Sequence, residues 1–166
     1  ATVAYQGTLN VNASDTLTVL STDSDGTPLT DSDDVAITIS AINDAPVMGS
    51  VEGTDLAYTE NDAAVAITTT LSLSDVDDTN LDSAIVQITG NYATGEDVLA
   101  FVDQNGITGS WNVGTGELTL SGSATLAQYE TALRSVTYQN TSGNPSTGTR
   151  TVSFNVSDGD DASNTQ

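Results

Sequence analysis

Short runs in which apolar and polar residues alternate occur throughout this chain, and they constrain its fold more than any other feature. Clear examples are Leu17–Val19, Val35–Ile39, Val152–Val156 and the longest run, Val65–Leu73. Alternation with a period of two places apolar side chains on one face of a β-strand. Gly, Asn and Asp residues separate the runs, as turns require. The pattern predicts an all-β sandwich with Greek-key connections.

One segment, Ala124–Ser135, has helical spacing instead. Its apolar residues recur three or four positions apart: Leu126, Tyr129 and Leu133. Thr125 and Gln128 have the spacing of a capping box, and Ser123 is a rival N-cap. The segment predicts one short helix near 124–134, which crosses between strands and packs its last two apolar side chains on the core.

The charge balance excludes several functions. The chain has 23 acidic residues and two basic ones, Arg134 and Arg150, and it contains no His, Cys or Lys. The lack of His and Cys removes most general-base and thiol chemistry and the preferred ligands of zinc. A net charge of −21 makes nucleic acid an unlikely partner. No apolar stretch reaches the length of a membrane span. We therefore expect a protein that is not an enzyme; a hydrolase with an Asp pair is the least favoured alternative.

The chain also repeats itself at a spacing of about 133 to 135 residues. Val3–Gln6 resembles Val136–Gln139, and Thr16–Gly26 resembles Arg150–Asp161. This spacing predicts that residues 1–42 are the C-terminal part of an upstream repeat.

The repeat predicts the rest of the domain organisation as well. Residues 43–47 form a linker, and residues 48–166 form the next repeat without its last strand. The counterpart of the Asp34–Ser40 strand would follow Gln166. A neighbouring copy of the chain could lend this strand, since an unpaired sheet edge invites pairing.

Two clusters of acids suggest a cation site, although acids more often only solvate a surface. Asp75 and Asp77 lie two positions apart, as do Asp158 and Asp160. If the backbone is extended there, each pair projects from one face of a strand. The oxygen atoms of Asn43 and Asp44 could complete the shell of about six to eight ligands that Ca²⁺ takes. Other acids are expected to be solvated charge: Asp97, Asp103 and Glu117.

Several motifs carry a resemblance to a known family. They are AINDAPV at Ala41–Val47, SDVDD at Ser74–Asp78, VSDGDD at Val156–Asp161, STDSDG at Ser21–Gly26 and YTEND at Tyr58–Asp62. In this order they resemble the linker and Asp motifs of the cadherin superfamily. The closer resemblance is to the cadherin-like repeats of giant bacterial adhesins and RTX-type secreted proteins, which share a block similar to Gln128–Asn140. The chain departs from animal cadherins in its shorter acidic linker, the absence of an Asp-Arg-Glu motif and the inserted helix.

The resemblance implies an Ig-like or cadherin-like fold and a set of calcium ligands. Beyond the six residues named above, the matching positions are Asp78, Asp23, Asp25 and Glu60, of which Glu60 serves the opposite pole of the domain in the family. The implied function is a calcium-dependent structural or adhesive module that rigidifies an extracellular array or filament, in cell adhesion or a biofilm matrix at a bacterial surface. The implied partners are neighbouring repeats or copies of the chain, and a surface glycan or protein target.

Two alternatives remain open from the residues. Filament assembly by strand exchange would make calcium secondary. A carbohydrate- or protein-binding sandwich would expose Trp111, Tyr92 and Tyr58 together beside acids. The alternating pattern around Trp111 favours a packing role for its side chain instead.

Overall fold

The computed structural model describes residues 4–6, 15–24 and 29–166. The chain divides into two compact units, Ala1–Ile42 and Asn43–Gln166. Whether the first unit belongs to an upstream repeat stays a prediction. The candidate ligand Asp25 lies outside the described residues.

The described part of the first unit is a two-stranded antiparallel ribbon. Strand β1 (Asp15–Thr22) pairs with β2 (Thr30–Ile37). Leu17 lies opposite Val35, so the two side chains share one face of the ribbon. Val35 is 53% exposed. A two-stranded hairpin with its apolar face uncovered is marginally stable in water.

The second unit contains nine strands and one helix. They are β3 (Val47–Met48), β4 (Val65–Ala66), β5 (Leu73–Ser74), β6 (Asn80–Gly90), β7 (Asp97–Ala100), β8 (Thr108–Asn112), β9 (Glu117–Thr125), α1 (Leu126–Arg134), β10 (Thr137–Asn140) and β11 (Thr151–Ser157). They form a four-stranded sheet in the order β11-β6-β9-β8, a three-stranded sheet β4-β10-β7, and the pair β3-β5. All recorded pairings are antiparallel. The prediction of an all-β sandwich with one short helix is confirmed.

A single hydrophobic core fills the second unit. Its fully buried larger side chains come from both main sheets, the helix and the loops: Met48, Leu71, Leu81, Val86, Leu99, Ile107, Leu118, Leu120, Tyr129, Leu133, Val136 and Phe154. In β9, Leu118 and Leu120 point inward while their neighbours are exposed or half-buried. The period-two alternation of the sequence therefore locates the core face correctly.

The helix begins where its capping signal predicts. Thr125 is the N-cap, and its side chain accepts a hydrogen bond from the Gln128 amide while Gln128 reaches back to the Thr125 amide. Ser123, the rival cap, lies within β9. Tyr129 and Leu133 are buried, as the helical spacing predicts.

The run Val65–Leu73 is not the single long strand that its alternation suggests. It contributes only the short β4 and the first residue of β5. Between them the Glu52 carboxylate accepts hydrogen bonds from the Thr69 and Thr70 amides, and the Thr68 hydroxyl accepts one from the Leu71 amide. These side-chain acceptors replace the partners that a neighbouring strand would supply.

The last described residues return along the outer edge of β11. The Phe154 amide donates to the Gln166 carbonyl at 2.9 Å, and the Gln166 amide donates to the Phe154 carbonyl at 3.2 Å. The Ser163 amide donates to the Val156 carbonyl at 2.8 Å. Residues 162–166 thus pair with the second half of β11, and its first half has no strand on that side in the described structure.

Candidate metal site

Two loops with the same sequence pattern form the acidic end of the second unit. The pattern Ser-Asp-x-Asp-Asp occurs at Ser74–Asp78 and at Ser157–Asp161. Asp75 Oδ1 accepts hydrogen bonds from the amides two and three residues later, at 3.1 and 3.0 Å. Asp158 Oδ1 does the same, at 2.8 and 2.7 Å. Each loop is therefore closed by its first aspartate as an Asx-type turn.

This geometry corrects one premise of the sequence analysis. Asp75 and Asp77 do not project from one face of an extended strand, because β5 ends at Ser74 and a turn follows. The turn nevertheless gathers the carboxylates. One oxygen from each of Asp75, Asp77 and Asp78 lies within 4.8 Å of the others.

The first residues of the second unit connect the two loops. Asn43 Nδ2 donates hydrogen bonds to Asp158 Oδ2 at 3.0 Å and to Asp161 Oδ2 at 3.4 Å. The Asp44 amide donates to both carboxylate oxygens of Asp77 at 3.3 Å. Asn43 and Asp44 therefore lie against the two loops together.

The electrostatics show that the two loops act on one another. Burial raises the pKa of Asp78, and the charges of Asp75, Asp77, Asp158 and Asp160 raise it further. This shift requires acids of both loops to lie near one another. Such a concentration of negative charge favours a bound cation.

Two of the acids differ in whether hydrogen bonds satisfy their carboxylate oxygens. Burial acts to raise the pKa of Asp158, but hydrogen bonds from Asn43 and from the Asp161 and Asp160 amides outweigh it, and the pKa is lowered. Asp75 Oδ2 is buried and has no hydrogen-bond partner in the described part of the chain. A buried carboxylate oxygen without a donor is a costly arrangement that a cation would relieve.

Two acids near this cluster are absent from the sequence-derived ligand set. Asp161 completes the second loop and contacts Asn43. Asp82, near the start of β6, lies so close to Gly159 that a Cβ there would approach its Oδ2 to 2.8 Å. Gly159 also has a φ of +109°, a conformation that favours glycine. The repeat of the SDxDD pattern points to Asp161, whereas no local signal marks Asp82.

Two of the remaining predicted ligands have other contacts. Glu60 lines a groove beside β11 that also contains Tyr58 and Arg150. Asp23 belongs to the first unit, where its Oδ1 accepts a hydrogen bond from the Leu29 amide at 3.3 Å. The acidic cluster thus comprises seven of the predicted residues: Asn43, Asp44, Asp75, Asp77, Asp78, Asp158 and Asp160.

One acid that the sequence analysis treated as solvated charge is fully buried. Asp97 accepts hydrogen bonds from the Tyr138 hydroxyl at 2.7 Å, Asn140 Nδ2 at 2.6 Å, the Ala93 amide at 2.7 Å and Arg150 Nε at 3.1 Å. Burial acts to raise the pKa of Asp97, but these hydrogen bonds outweigh it and the pKa is lowered. Asp97 is a buried acid that forms a structural ion pair with Arg150, so the prediction that it is solvated surface charge was wrong.

The aromatic side chains form two separate packed pairs. Tyr92 and Trp111 meet edge to face with ring centroids 6.2 Å apart, and Tyr58 and Tyr138 do so at 5.1 Å. Trp111 is half-buried against the core, which confirms its predicted packing role. Trp111, Tyr92 and Tyr58 do not form one exposed platform of the kind that stacks on a sugar.

Comparison with known proteins gives one relative. The chain is similar to halomucin of Haloquadratum walsbyi. The alignment of 142 residues has 34% identity and covers 79% of the chain. The match spans 2% of halomucin, so the chain corresponds to a small part of that very long protein. No protein-family profile matches the chain, and neither does any solved structure. Among the described residues, no helix is long and apolar enough to cross a membrane.

Proposed function

We propose that this chain is a calcium-dependent structural module of a long extracellular surface protein. The module binds Ca²⁺ between its two SDxDD loops and thereby stiffens the chain where the second unit begins. The observation that carries this proposal is the convergence of both loops with Asn43 and Asp44 at one end of the sandwich.

The chemistry of the cluster suits a hard cation. Its acidic side chains offer oxygen ligands, and Ca²⁺ takes about six to eight oxygen ligands in a flexible arrangement. The loops are closed by hydrogen bonds that the Asp75 and Asp158 carboxylates accept from backbone amides of the same loops. The turns are therefore formed by the chain itself, which reduces the ordering that binding requires.

The position of the cluster gives binding a mechanical role. Asn43 and Asp44 are the first residues of the second unit. A cation shared with Asp77 and Asp158 would fasten this segment to both loops more tightly than the hydrogen bonds at 3.0–3.3 Å do. Force applied along the chain would then have to break the cation site before residues 43 and 44 could leave the sandwich.

The extracellular part of the proposal is supported by composition and by the relative. A chain with 23 acids, two bases and no Cys is suited to a salty, calcium-containing medium. The similarity to a small segment of halomucin supports a place within a long surface-type protein. Adhesion or biofilm cohesion would follow from the length and stiffness of such an array.

Thermal unfolding with and without Ca²⁺ tests the proposal. Extracellular modules bind Ca²⁺ with dissociation constants of about 0.1–1 mM. At about 10 mM Ca²⁺, which is about 10 to 100 times such a Kd, binding adds about 1.4–2.7 kcal/mol, so we expect the melting temperature to exceed that in excess chelator by about 3–10 °C. Equal ionic strength in both samples, set with NaCl, removes the effect of screening.

Matched variants distinguish calcium binding at this cluster from a general effect of negative charge. Asp75→Asn and Asp158→Asn each remove one negative charge from the cluster, and both should abolish most of the calcium shift. Asp55→Asn removes the same charge from an exposed position in the groove and should leave the shift intact. An equal shift in all three variants, or no shift in the unaltered chain, would show that the acids serve only as solvating charge.

A further inference from the structure

Helix α1 is bound to the chain on both sides of the first SDxDD loop, Ser74–Asp78. Directly before the loop, the Leu73 amide donates a hydrogen bond to Glu130 Oε1 at 2.7 Å. Directly after it, the Leu126 amide donates one to the Thr79 carbonyl at 3.2 Å. Leu126 and Glu130 are four positions apart, which is about one turn of a helix. A single turn of α1 therefore holds both ends of the loop.

The hold on the segment before the loop is reinforced by a second charged side chain. Arg134 Nε donates a hydrogen bond to the Leu71 carbonyl at 2.8 Å, and Arg134 Nη2 lies 3.4 Å from Glu130 Oε2. One carboxylate oxygen of Glu130 thus binds the Leu73 amide while the other meets the guanidinium group. The ion pair keeps the Glu130 carboxylate turned towards the main chain of residues 71–73. Hydrogen bonds to such charged groups are about twice as strong as those between neutral groups.

These contacts occupy the edge of β5 that faces away from β3. On the β3 side, the Ser72 carbonyl accepts a hydrogen bond from the Gly49 amide at 2.8 Å. Successive residues of an extended chain turn their main-chain groups to opposite sides. The Leu71 carbonyl and the Leu73 amide therefore face the other edge, where the two charged side chains of α1 meet them. The helix takes the place of a neighbouring strand beside a β-strand of only two residues.

The second SDxDD loop, Ser157–Asp161, is held by contacts of its own. It begins at the last residue of the seven-residue strand β11, and a bridge between Ser157 and Ala162 closes it. The Gly159 amide also donates a hydrogen bond to Ser157 Oγ at 3.1 Å. The first loop, which carries the three carboxylates within 4.8 Å of one another, instead has its flanking residues bound to α1. Its geometry should therefore depend on α1 more than that of the second loop does.

We propose that α1 is a clamp for the first SDxDD loop and that Glu130 is a positioning residue for the cation site. The second part of this inference rests on the calcium site proposed above. Glu130 acts through the main chain, because its two carboxylate oxygens are bound to Leu73 and Arg134. By fixing the end of β5, it keeps the three carboxylates of the loop together. A loop that is already ordered loses less conformational freedom when it binds an ion, which increases its affinity.

Hydrogen exchange in excess chelator tests the clamp in the absence of any bound calcium. Glu130→Ala removes the acceptor of the Leu73 amide. We expect the Leu73, Asp77 and Asp78 amides to exchange several-fold faster in this variant than in the unaltered chain, because exchange reports local opening. Amide exchange resolved by NMR measures these rates one residue at a time.

The second loop is the internal reference for this experiment. Its Asp160 and Asp161 amides make the same kind of hydrogen bond to the first aspartate of their loop, so their exchange should change little in Glu130→Ala. Unchanged exchange in the first loop would overturn the clamp. Equal acceleration in both loops would also overturn it, because Glu130 would then only contribute to the stability of the whole unit.

Two further variants separate positioning from charge and from helix stability. Glu130→Gln removes the charge but keeps a side-chain oxygen that can accept from the Leu73 amide. Thr131→Gly weakens the same helix at an exposed position, because glycine has a low helix propensity, and leaves Glu130 in place. In both variants we expect the exchange of the first loop to stay closer to that of the unaltered chain than in Glu130→Ala.

Titration with Ca²⁺, followed by the NMR shifts of the same amides, tests the effect on affinity. Residues that orient metal ligands without touching the metal change affinity by about 10–100-fold when they are replaced. We expect Glu130→Ala to raise the Kd for Ca²⁺ about 10-fold, and Glu130→Gln and Thr131→Gly to raise it much less. An unchanged Kd in Glu130→Ala would overturn the positioning role, and an equal rise in Glu130→Gln would show that the charge acts instead.

The two measurements also keep this inference distinct from the proposed function. If the unaltered chain did not bind Ca²⁺ at all, the proposed function and the effect of Glu130 on affinity would both be wrong. The exchange rates in chelator would still decide whether α1 clamps the first loop.

Discussion

Asp97 is a carboxylate without solvent exposure, and its charge is balanced mainly by Arg150, whose side chain is 11% exposed. Removing one partner of a buried ion pair leaves an uncompensated charge and costs about 3–5 kcal/mol. We expect Arg150→Met to lower the free energy of unfolding by about that amount. Urea denaturation followed by circular dichroism would measure it.

Arg134 offers the comparison. It pairs with Glu130 at 3.4 Å, four residues away on α1, and its side chain is 37% exposed. Exposed ion pairs contribute about 0–1 kcal/mol. Arg134→Met also removes the hydrogen bond from Arg134 Nε to the Leu71 carbonyl at 2.8 Å, but it leaves no buried charge unpaired, so it should cost less than Arg150→Met. A similar loss for both variants would mean that the Asp97 ion pair has no special role.

Glu52 gives the molecule a defined acid sensitivity. Hydrogen bonds from the Thr68 hydroxyl and the Thr69 amide lower the pKa of Glu52 to about 2, from an ordinary value of 4.5. Because the folded-state pKa is depressed, the stabilisation is present above pH 4.5 and is lost as the pH falls towards 2. Glu52→Gln should be less stable than the unaltered chain at pH 7, and the difference should shrink between pH 5 and pH 2. Unfolding free energies at several pH values would check this, and a constant difference would contradict it.

Single residues were predicted well where the signal is local and poorly where it is not. Trp111 was assigned to packing from the alternation around it. The burial of Asp97 had no local signal, because its partners Tyr138, Asn140 and Arg150 lie 41 to 53 positions away in the sequence. An acid in a turn looks the same in sequence whether it faces water or an arginine.

At the scale of the element, α1 depends on its capping box. The Thr125 side chain accepts a hydrogen bond from the Gln128 amide at the start of the helix, and the Thr125 amide donates one to Gln128 Oε1. Replacement of such a cap by Ala costs about 0.5–2 kcal/mol. We expect Thr125→Ala to lose about that much stability in urea denaturation, whereas Thr125→Ser should retain most of it. Equal stability of both variants would mean that packing of Tyr129 and Leu133 alone holds the helix.

The sequence predicted best those elements whose defining residues lie close together in the chain. The helix cap and its buried face lie within ten residues, and its position was correct. The run Val65–Leu73 has strand-like alternation, but Glu52, 17 positions before Thr69, takes its amides instead. The SDxDD loops were recognised from their motifs. The contact of Asn43 with Asp158, 115 positions away, has no local signal in the sequence, and Asn43 was proposed only as a residue that could complete the oxygen shell.

At the scale of the whole molecule, a net charge of −21 acts against compactness. Raising NaCl from about 10 mM to 1 M shortens the Debye length from about 30 Å to about 3 Å. In chelator we therefore expect NaCl to raise the melting temperature by a few degrees, with a gradual dependence and no saturation at millimolar concentration. A calcium shift measured at 1 M NaCl should persist in part, because a coordinated ion is screened less than exposed charges are. If high NaCl eliminated that shift completely, calcium would be acting as a counterion.

The scarcity of basic residues has a further consequence for the resistance of the chain to proteases. Trypsin-like proteases cut after Lys or Arg, and 166 residues offer them two sites. Arg150 is held by Asp97 and by two backbone carbonyls, and Arg134 is bound to the Leu71 carbonyl at the end of α1. Both bonds to be cut belong to the folded sandwich, so digestion has to wait for that fold to open. The contacts that hold the two arginines in the fold thus protect the chain from trypsin-like proteases.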